Sequence, residues 1–270
     1  MLYGGIDVGA QSVKALLFDG QHILGQKLTI SEEEADAAAR KIFHELLDDL
    51  HIRLTDIEQV VATGWGAADV SFADRKSSEQ VCAARGTHWW IDSARTVVDV
   101  GAEGSRVMKL GPDGGLLDFT NNAKCASGTG SFIELGAVYL KTPIGEMGPL
   151  SLAADGVAEV SSTCAVFAES VIISHIHNGQ SRERIAAGVH KAAAVRIEEL
   201  IGRLGLEEKV VLIGGGALNQ GLVRMLEQMI GVQITVPEHP RLVTALGAAI
   251  QASRKSTERR RRRPKAGPES

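Results

Sequence analysis

The sequence predicts an α/β fold built from two similar lobes, each with a mixed sheet flanked by helices. Three observations indicate it. A strand, an Asp-Val-Gly turn and a second strand at residues 5–19 recur at residues 97–110. A buried-strand pattern over Val210–Ile213 is followed by three glycines and a helical pattern. The composition, 44% hydrophobic and 23% charged, is ordinary for a soluble α/β protein, and 270 residues suffice for one large or two small domains.

The repeat consists of two predicted β-hairpins. In each, a strand ends in Asp-Val-Gly, at Asp7 and at Asp99, and a short turn leads into a second strand, over 13–18 or 106–110. A single Asp-x-Gly usually indicates only a turn that binds nothing. Two copies about 92 residues apart, in matching strand contexts, indicate phosphate binding.

The residue types in the two turns suit that chemistry. Gly9 and Gly101 let backbone N–H groups approach a phosphate with no Cβ in between. Asp7 and Asp99 are candidate catalytic residues, because a carboxylate at a strand end holds Mg²⁺ through water or orients an attacking water. Two such hairpins facing each other would clamp one triphosphate between the lobes.

Other residues of the turns are further candidates. Lys14 is expected to contact phosphate as a point charge, although its strand position also permits ordinary exposure. Glu103 is a candidate to orient the hydrolytic water, and a salt-bridged structural role is equally open. The residues assigned to phosphate binding are Gly9, Gln11, Ser12 and Lys14 in the first turn and Gly101 and Ala102 in the second.

A third glycine cluster follows the strand at residues 210–213. Gly214, Gly215 and Gly216 precede a helix that begins near Asn219, an order suited to packing against adenine and ribose. We assign these four residues to nucleotide binding, with a tight strand–helix turn that binds nothing as the alternative. Small residues over 244–249 begin a last helix, for which we expect close helix contacts and a hinge between the lobes.

The three cysteines, Cys82, Cys125 and Cys164, are too few and too scattered for a disulfide framework. Cys125 precedes a turn rich in Gly, Ser and Thr and a helix predicted over 132–140. Cys164 precedes a helical run over 165–174. Unpaired N–H groups and the dipole at a helix start favour the thiolate that iron requires. From the residues alone, buried core thiols remain the default, and we expect Cys82 in the core.

Charge is distributed unevenly along the chain. The net charge is -4, yet from Arg254 onward there are eight Lys/Arg and two Glu, which leaves +6 there and -10 in the body. The composition predicts a disordered basic tail over 256–270. The acidic body argues against nucleic acid as the main ligand. No apolar run approaches the roughly 20 residues of a membrane span, and the first residues have a strand pattern instead of a signal peptide, so we expect no membrane partner and a cytoplasmic location.

Two segments resemble a known family. Residues 122–130 (NAKCASGTG) and 161–170 (SSTCAVFAES) resemble the two signature segments of the BadF/BadG/BcrA/BcrD ATPase family, which comprises activators of 2-hydroxyacyl-CoA dehydratases and ATPase subunits of benzoyl-CoA reductase. Over residues 3–252 the chain also resembles the actin-like (ASKHA, ribonuclease H-like) ATPases. The resemblance implies a duplicated two-lobe ATPase, with lobes over 1–92 and 93–255, a C-terminal helix that crosses back, and ATP or ADP and Mg²⁺ in the cleft.

The resemblance also implies that Cys125 and Cys164 bind iron. One [4Fe–4S] cluster normally takes about four thiolates, so it would be shared between two subunits. ATP binding or hydrolysis would swing the cysteine helices and open the dimer toward an electron acceptor. The implied partners are ferredoxin or flavodoxin as electron donor and a CoA-thioester reductase or dehydratase as acceptor.

One departure from the family pattern bears on the partner. Dehydratase activators usually show Asp-Ile-Gly-Gly-Gln-Asp at the second hairpin, where this chain has DVGAEG over 99–104, more like a benzoyl-CoA reductase ATPase subunit. The resemblance therefore favours dearomatising benzoyl-CoA reductase and a heterodimer with a homologous ATPase subunit. The alternatives are a homodimeric activator of a 2-hydroxyacyl-CoA dehydratase and, more remotely, a small-molecule kinase of the actin/hexokinase superfamily. The altered second hairpin also keeps a non-catalytic nucleotide-binding subunit open, and Ala10 stands in place of the usual hydroxyl residue of the first hairpin.

Overall fold

The computed structural model describes residues 1–30, 34–122 and 129–262, with side chains up to residue 254. The chain divides into two compact units. Unit 1 comprises Met1–Gly86 and Leu242–Ser270, and unit 2 comprises Thr87–Arg241.

The lobes were predicted over 1–92 and 93–255, with a C-terminal helix that crosses back. The observed units divide the chain twice, after Gly86 and after Arg241, because the last helix packs on the first sheet.

Unit 1 contains a five-stranded sheet in the order β3-β2-β1-β4-β5. Strand β1 pairs antiparallel with β2 and parallel with β4. Its elements are β1 (Leu2–Val8), β2 (Ser12–Phe18), β3 (Ile23–Ile30), α1 (Ala35–Asp49), β4 (Ile57–Thr63), β5 (Arg75–Lys76), α2 (Glu79–Trp90), whose last four residues belong to unit 2, and α8 (Val243–Arg262).

The core of unit 1 forms between this sheet and two helices. Helix α1 buries Ile42, Phe43 and Leu46 on one stripe, as the helical period requires, and each such side chain contributes about 1.5–3 kcal/mol by its burial. Helix α8 contacts β1, β2 and β4 through small residues. A Cβ added at Gly5 of β1 would lie 2.0 Å from the carbonyl oxygen of Ala245, so only a glycine lets this helix lie so close.

Unit 2 contains a second five-stranded sheet in the order β10-β9-β6-β7-β8. Its elements are β6 (Thr96–Val100), β7 (Ser105–Leu110), β8 (Leu116–Asn121), α3 (Gly130–Tyr139), α4 (Ile144–Leu152), α5 (Ala165–His177), α6 (Arg182–Leu204), β9 (Val210–Ile213), α7 (Gln220–Ile230) and β10 (Ile234–Thr235).

Helix α6 is the central helix of unit 2. Ser181 caps its start by accepting a hydrogen bond from the backbone N–H of Arg184 (3.3 Å). The helix contacts α3, α4, α7 and β7, and its alanines are buried along most of its length. Gly136 of α3 packs against Val189 of α6, which brings the helix after the first cysteine segment onto this scaffold.

The two sheets share one topology. Strand β6 pairs antiparallel with β7 and parallel with β9, as β1 does with β2 and β4. The prediction of a duplicated two-unit α/β fold is therefore confirmed.

The C-terminal residues differ from the prediction. A disordered tail was expected over 256–270, but α8 continues to Arg262, because Arg, Lys and Glu are good helix formers that extend a helix already held by packing. Residues 263–270 lie outside the described part of the chain. None of the helices that the structure describes is both long and apolar enough to cross a membrane.

Candidate functional site

The first hairpin closes as predicted around Gly9. The N–H of Gly9 donates to the carbonyl of Ser12 (3.0 Å), which makes the tight turn between β1 and β2. Asp7 lies at the end of β1, is only 6% exposed, and pairs with Lys14 directly across the hairpin (Nζ to Oδ2, 3.1 Å). The ammonium group expected at a phosphate is thus held by the neighbouring carboxylate, and it also donates to the carbonyl of Ser12 (3.3 Å).

The second hairpin repeats this geometry in unit 2. The N–H of Gly101 donates to the carbonyl of Gly104 (2.8 Å), and Asp99 is again 6% exposed. Arg106, directly across from Asp99, forms the matching ion pair (Nη1 to Oδ2, 2.9 Å). Glu103 is exposed at the tip of the turn. Arg106 was not a predicted site residue, although it stands seven residues after its aspartate, as Lys14 does after Asp7.

The predicted glycine turn at 214–216 lies directly against the end of β6. Gly214 has a φ of +84°, and a Cβ there would lie 2.5 Å from both the Oδ1 of Asp99 and the carbonyl oxygen of Val100. A Cβ added at Gly216 would lie 2.5 Å from Cγ1 of Val100, whereas a Cβ at Gly215 would meet nothing within 4 Å. The structure thus brings two predicted groups together, the second aspartate and the glycine turn.

Unit 1 carries the same turn, which was not predicted from the sequence. Gly64 has a φ of +93°, and a Cβ there would lie 2.6 Å from the Oδ1 of Asp7 and 2.4 Å from the carbonyl oxygen of Val8. A Cβ added at Gly66 would lie 2.6 Å from Cγ1 of Val8, which matches the position of Gly216 against Val100. The middle position holds Trp65, whose side chain is 86% exposed. The detectable signal is Gly-x-Gly-Ala after a buried strand, which occurs at 64–67 and at 214–217.

Asn219 has a defined role in the fold of unit 2. Its Oδ1 accepts from the N–H of Leu222 (3.2 Å), which caps α7, and lies 2.9 Å from the Nε2 of His190. Burial lowers the pKa of His190, against the opposing effect of its hydrogen bonds. A cavity of about 570 Å³ opens beside this turn, with Leu152 and Leu218 in its lining. The side chain of Asn219 therefore orients the start of α7, and its assignment to nucleotide stays a prediction.

The two cysteine segments differ in what can be described. Cys125 lies in residues 123–128, outside the described residues. Cys164 is the residue that caps the start of α5, its thiol makes no capping hydrogen bond, and it is partly exposed. Val166 and Phe167, in the first turn of α5, are 65% and 64% exposed. Among the residues that the structure describes, no group of three or more His, Cys, Asp or Glu forms a metal site.

Cys82, in contrast, is a core residue, as predicted. It is fully buried in unit 1, and burial raises the pKa of its thiol to about 11. Gly247 of α8 lies so near that an added Cβ would meet the carbonyl oxygen of Cys82 at 1.7 Å. This thiol is thus part of the packing between α2 and α8.

A contact in unit 2 joins the two cysteine-bearing regions. The hydroxyl of Tyr139, the last residue of α3, donates to the carboxylate of Glu169 on α5. Hydrogen bonding to this carboxylate and its charge raise the pKa of Tyr139. Helix α3 is therefore tied to α5, the helix whose start follows Cys164.

Comparison with known proteins places the site in context. A family model described as the BadF/BadG/BcrA/BcrD ATPase family matches residues 5–252. The 2-hydroxyisocaproyl-CoA dehydratase activator of Clostridioides difficile is 37% identical over 249 residues, 92% of this chain and 93% of that protein. A benzoyl-CoA reductase subunit from Thauera aromatica is 32% identical over 257 residues, 91% of this chain and 91% of that protein.

Solved structures agree with the family match. The activator of the 2-hydroxyisocaproyl-CoA dehydratase from Clostridium difficile, solved with bound ADPNP, has a TM-score of 0.91 and 35% identity, and the match covers 99% of this chain and 100% of that one. A ROK hexokinase from Thermus thermophilus has a TM-score of 0.55 at 13% identity, over 96% of this chain and 100% of that one. The hexokinase likeness shows the fold alone.

Proposed function

This chain belongs to the BadF/BadG/BcrA/BcrD ATPase family, and from that premise we propose that it hydrolyses ATP to drive a low-potential electron into a partner enzyme acting on a CoA thioester. The resemblance seen in the segments at 122–130 and 161–170 is thereby confirmed. The observation that carries the proposal is the repeated hairpin and glycine turn, with a buried aspartate beside each turn, in a family of ATPases.

The nucleotide side of the proposal uses residues already placed. The glycine turn at 214–216 offers backbone with no side chain at its middle position, which suits the ribose and adenine of ATP or ADP. Asp99 and Asp7 are each balanced by one cation, so a phosphate group that attracts Arg106 or Lys14 frees a carboxylate for Mg²⁺. Exposed Glu103 is our candidate to orient the attacking water.

The electron side rests on the cysteines. The thiol of Cys164 at a helix start, partly exposed and not used in capping, fits a thiolate ligand. We propose Cys125 as the second ligand. Two thiolates per chain supply half of the roughly four that a [4Fe–4S] cluster takes, so the other half comes from a second subunit. When bound, such a cluster supplies one-electron transfer, with ferredoxin or flavodoxin as our proposed donor.

The partner is a CoA-thioester dehydratase or reductase, and different observations favour each. The residues Gly101, Ala102 and Glu103 favour the benzoyl-CoA reductase branch and a heterodimer, because that turn is more like the one in a reductase ATPase subunit. The identities favour a dehydratase activator, because the relatives from Clostridioides difficile and Anaerotignum propionicum share 37% and 38%, against 32% for the reductase subunit. A homodimer is expected in the second case.

The first test is the content of iron and acid-labile sulfide per chain after strictly anaerobic purification. We expect about four irons per two chains in the wild type and their loss in Cys125→Ser and in Cys164→Ser. Cys82→Ala is the matched control and keeps the iron, because Cys82 is buried in the core of unit 1.

Native mass of the same samples, alone and co-expressed with a homologous ATPase subunit, distinguishes the two partner classes. A homodimer with iron supports the dehydratase activator, and iron only in the mixed dimer supports the reductase subunit. Wild type that hydrolyses ATP but holds no iron in either preparation refutes the electron-transfer proposal and leaves a kinase or a nucleotide-binding subunit.

A further inference from the structure

Three helices of unit 2 meet at one side-chain oxygen, Oδ1 of Asn219. This oxygen accepts from the N–H of Leu222 at the start of α7 (3.2 Å), and Nε2 of His190 on α6 lies 2.9 Å away. From a third side, α4 comes so close that a Cβ added at Gly148 would lie 2.9 Å from the same oxygen. The groups around Oδ1 therefore determine how the amide of Asn219 is oriented.

Asn219 also holds the glycine turn through its backbone. Its N–H donates to the carbonyl of Gly216 (3.1 Å), and its carbonyl accepts from the N–H of Val223 in α7 (3.1 Å). The N–H of Ala217 closes the turn onto the carbonyl of Gly214 (3.3 Å). One residue thus connects the turn assigned to nucleotide with the helix that follows it, so a shift of Asn219 moves both.

His190 is a buried titratable residue that the proposed mechanism does not use. It is fully buried in α6. Its Nδ1 faces the carbonyl of Ala186 (2.7 Å), which lies within α6 and accepts from the helix backbone in any case. Its Nε2 faces an oxygen that already accepts from Leu222, so Nε2 binds there only as a donor. Of the two contacts of the ring, the one with Asn219 is the one that fixes another side chain.

The equivalent turn of unit 1 has the same backbone but a different setting. The N–H of Asp69 donates to the carbonyl of Gly66 (3.1 Å), as that of Asn219 does to Gly216. Asp69 is exposed, and the next element of the chain is the short strand β5 instead of a helix. Between these two turns of the described chain, contact with a buried histidine therefore belongs to the turn of unit 2.

We propose that His190 is the positioning residue of the nucleotide turn, because its bond to Asn219 fixes the glycine turn and thereby raises the affinity for the nucleoside part of ATP or ADP. The inference rests on the proposed function, which assigns residues 214–216 to ribose and adenine. A turn held in its binding geometry before the ligand arrives loses less freedom on binding, which favours affinity. The nucleoside lies away from the phosphate bond that breaks, so this effect changes KM and leaves kcat unchanged.

The test separates the hydrogen-bond donor from the bulk of the ring. His190→Leu keeps a side chain of similar size and removes the donor, whereas His190→Gln places an amide N–H near the position of Nε2. Ser181→Ala is the matched control, because it removes a capping bond at the start of the same helix, α6, and leaves the contact with Asn219 in place. Urea unfolding shows how much stability each variant loses.

The readout is the Kd of ADP with Mg²⁺, measured by calorimetry, together with KM and kcat of ATP hydrolysis. In His190→Leu we expect the Kd of ADP and the KM of ATP to rise about fivefold, the factor that one net hydrogen bond makes, with kcat unchanged. We expect His190→Gln to restore wild-type values. Ser181→Ala loses stability and keeps the wild-type Kd.

A second variant removes the same contact from the other side, and it also decides the question if His190→Leu fails to fold. Asn219→Ser keeps a capping hydroxyl for α7, one bond closer to the backbone and out of reach of Nε2. We expect it to raise the Kd of ADP at least as much as His190→Leu does. Adding His190→Leu should raise the Kd no further, because both changes remove one interaction. Additive losses would contradict the proposal, and so would a wild-type Kd in Asn219→Ser.

The outcomes separate this inference from the proposed function. A wild-type Kd in His190→Leu, or an equal rise in Ser181→Ala, overturns the positioning role while the nucleotide site stands. A lower kcat with unchanged KM overturns it as well, because the residue would then act on the chemical step. A wild type that does not bind ADP overturns the proposed nucleotide site, and the inference with it.

Discussion

Replacing Gly214 by alanine tests whether the glycine turn is held against Asp99 as described. The backbone there has φ +84° and ψ -175°, a conformation that costs a residue with a side chain about 1–3 kcal/mol. The new Cβ would also lie 2.5 Å from two oxygens, and overpacking of this kind costs about 1–3 kcal/mol more. Alanine offsets about 0.4–1 kcal/mol of this loss, because an unfolded chain with alanine has fewer conformations to give up on folding. We therefore expect unit 2 to lose about 3 kcal/mol of unfolding free energy.

The matched control is the neighbouring glycine. Gly215→Ala adds the same methyl group in the same turn, where it meets no atom within 4 Å, so we expect no loss of stability and a gain of at most about 0.4–1 kcal/mol through the unfolded chain. Urea unfolding followed by tryptophan fluorescence isolates unit 2 in a Trp65→Phe background, because the remaining indoles, Trp89 and Trp90, belong to that unit. Equal stabilities of the two variants would refute the geometry of the turn.

Two further predictions concern unit 1. Lys14→Met leaves the buried carboxylate of Asp7 unpaired and lowers the unfolding free energy by about 3 kcal/mol, and adding Asp7→Asn restores most of it. Arg53→Met breaks an exposed pair and leaves the unfolding free energy almost unchanged in urea titrations. Equal effects of Lys14→Met and Arg53→Met would contradict this prediction. The pKa of Cys82 is raised from 9.0 to about 11, chiefly by burial, so the folded state binds the thiol proton more tightly and stability falls as pH rises from 9 to 11. As the pH rises from 9 to 11, the wild type should lose about 2 kcal/mol more unfolding free energy than Cys82→Ala, as measured by thermal unfolding. Parallel losses in the two proteins would exclude a buried thiol.

The parts of the fold that were predictable are those governed by local pattern. The hairpins at Asp7 and Asp99 have a strand that ends in Asp-Val-Gly and a glycine where the chain turns, and both formed as expected. The helix after the glycine turn was expected from about Asn219 and begins at Gln220, with Asn219 as its side-chain cap. In each case the residues that determine the structure are neighbours in the chain.

The parts that were missed depend on residues far apart in the chain. The turn at 64–66 packs on Val8, and the large side chain of Trp65 hides its likeness to the three glycines at 214–216. Arg106 was visible only as a strand residue, because its partner is set by the register of the hairpin. The capping of α3 by the second hairpin joins backbone groups almost thirty residues apart in the sequence, and backbone groups carry no sequence signal.

The order of units along the chain has a consequence for synthesis. Unit 2 is one continuous stretch, whereas unit 1 needs its first 86 residues and also α8, which is made after unit 2. Domains fold as units while the chain is made, so unit 2 completes while the sheet of unit 1 still lacks the helix that covers β1 and β4. In the nascent protein the face of that sheet that α8 later covers therefore stays exposed to solvent until α8 has been made.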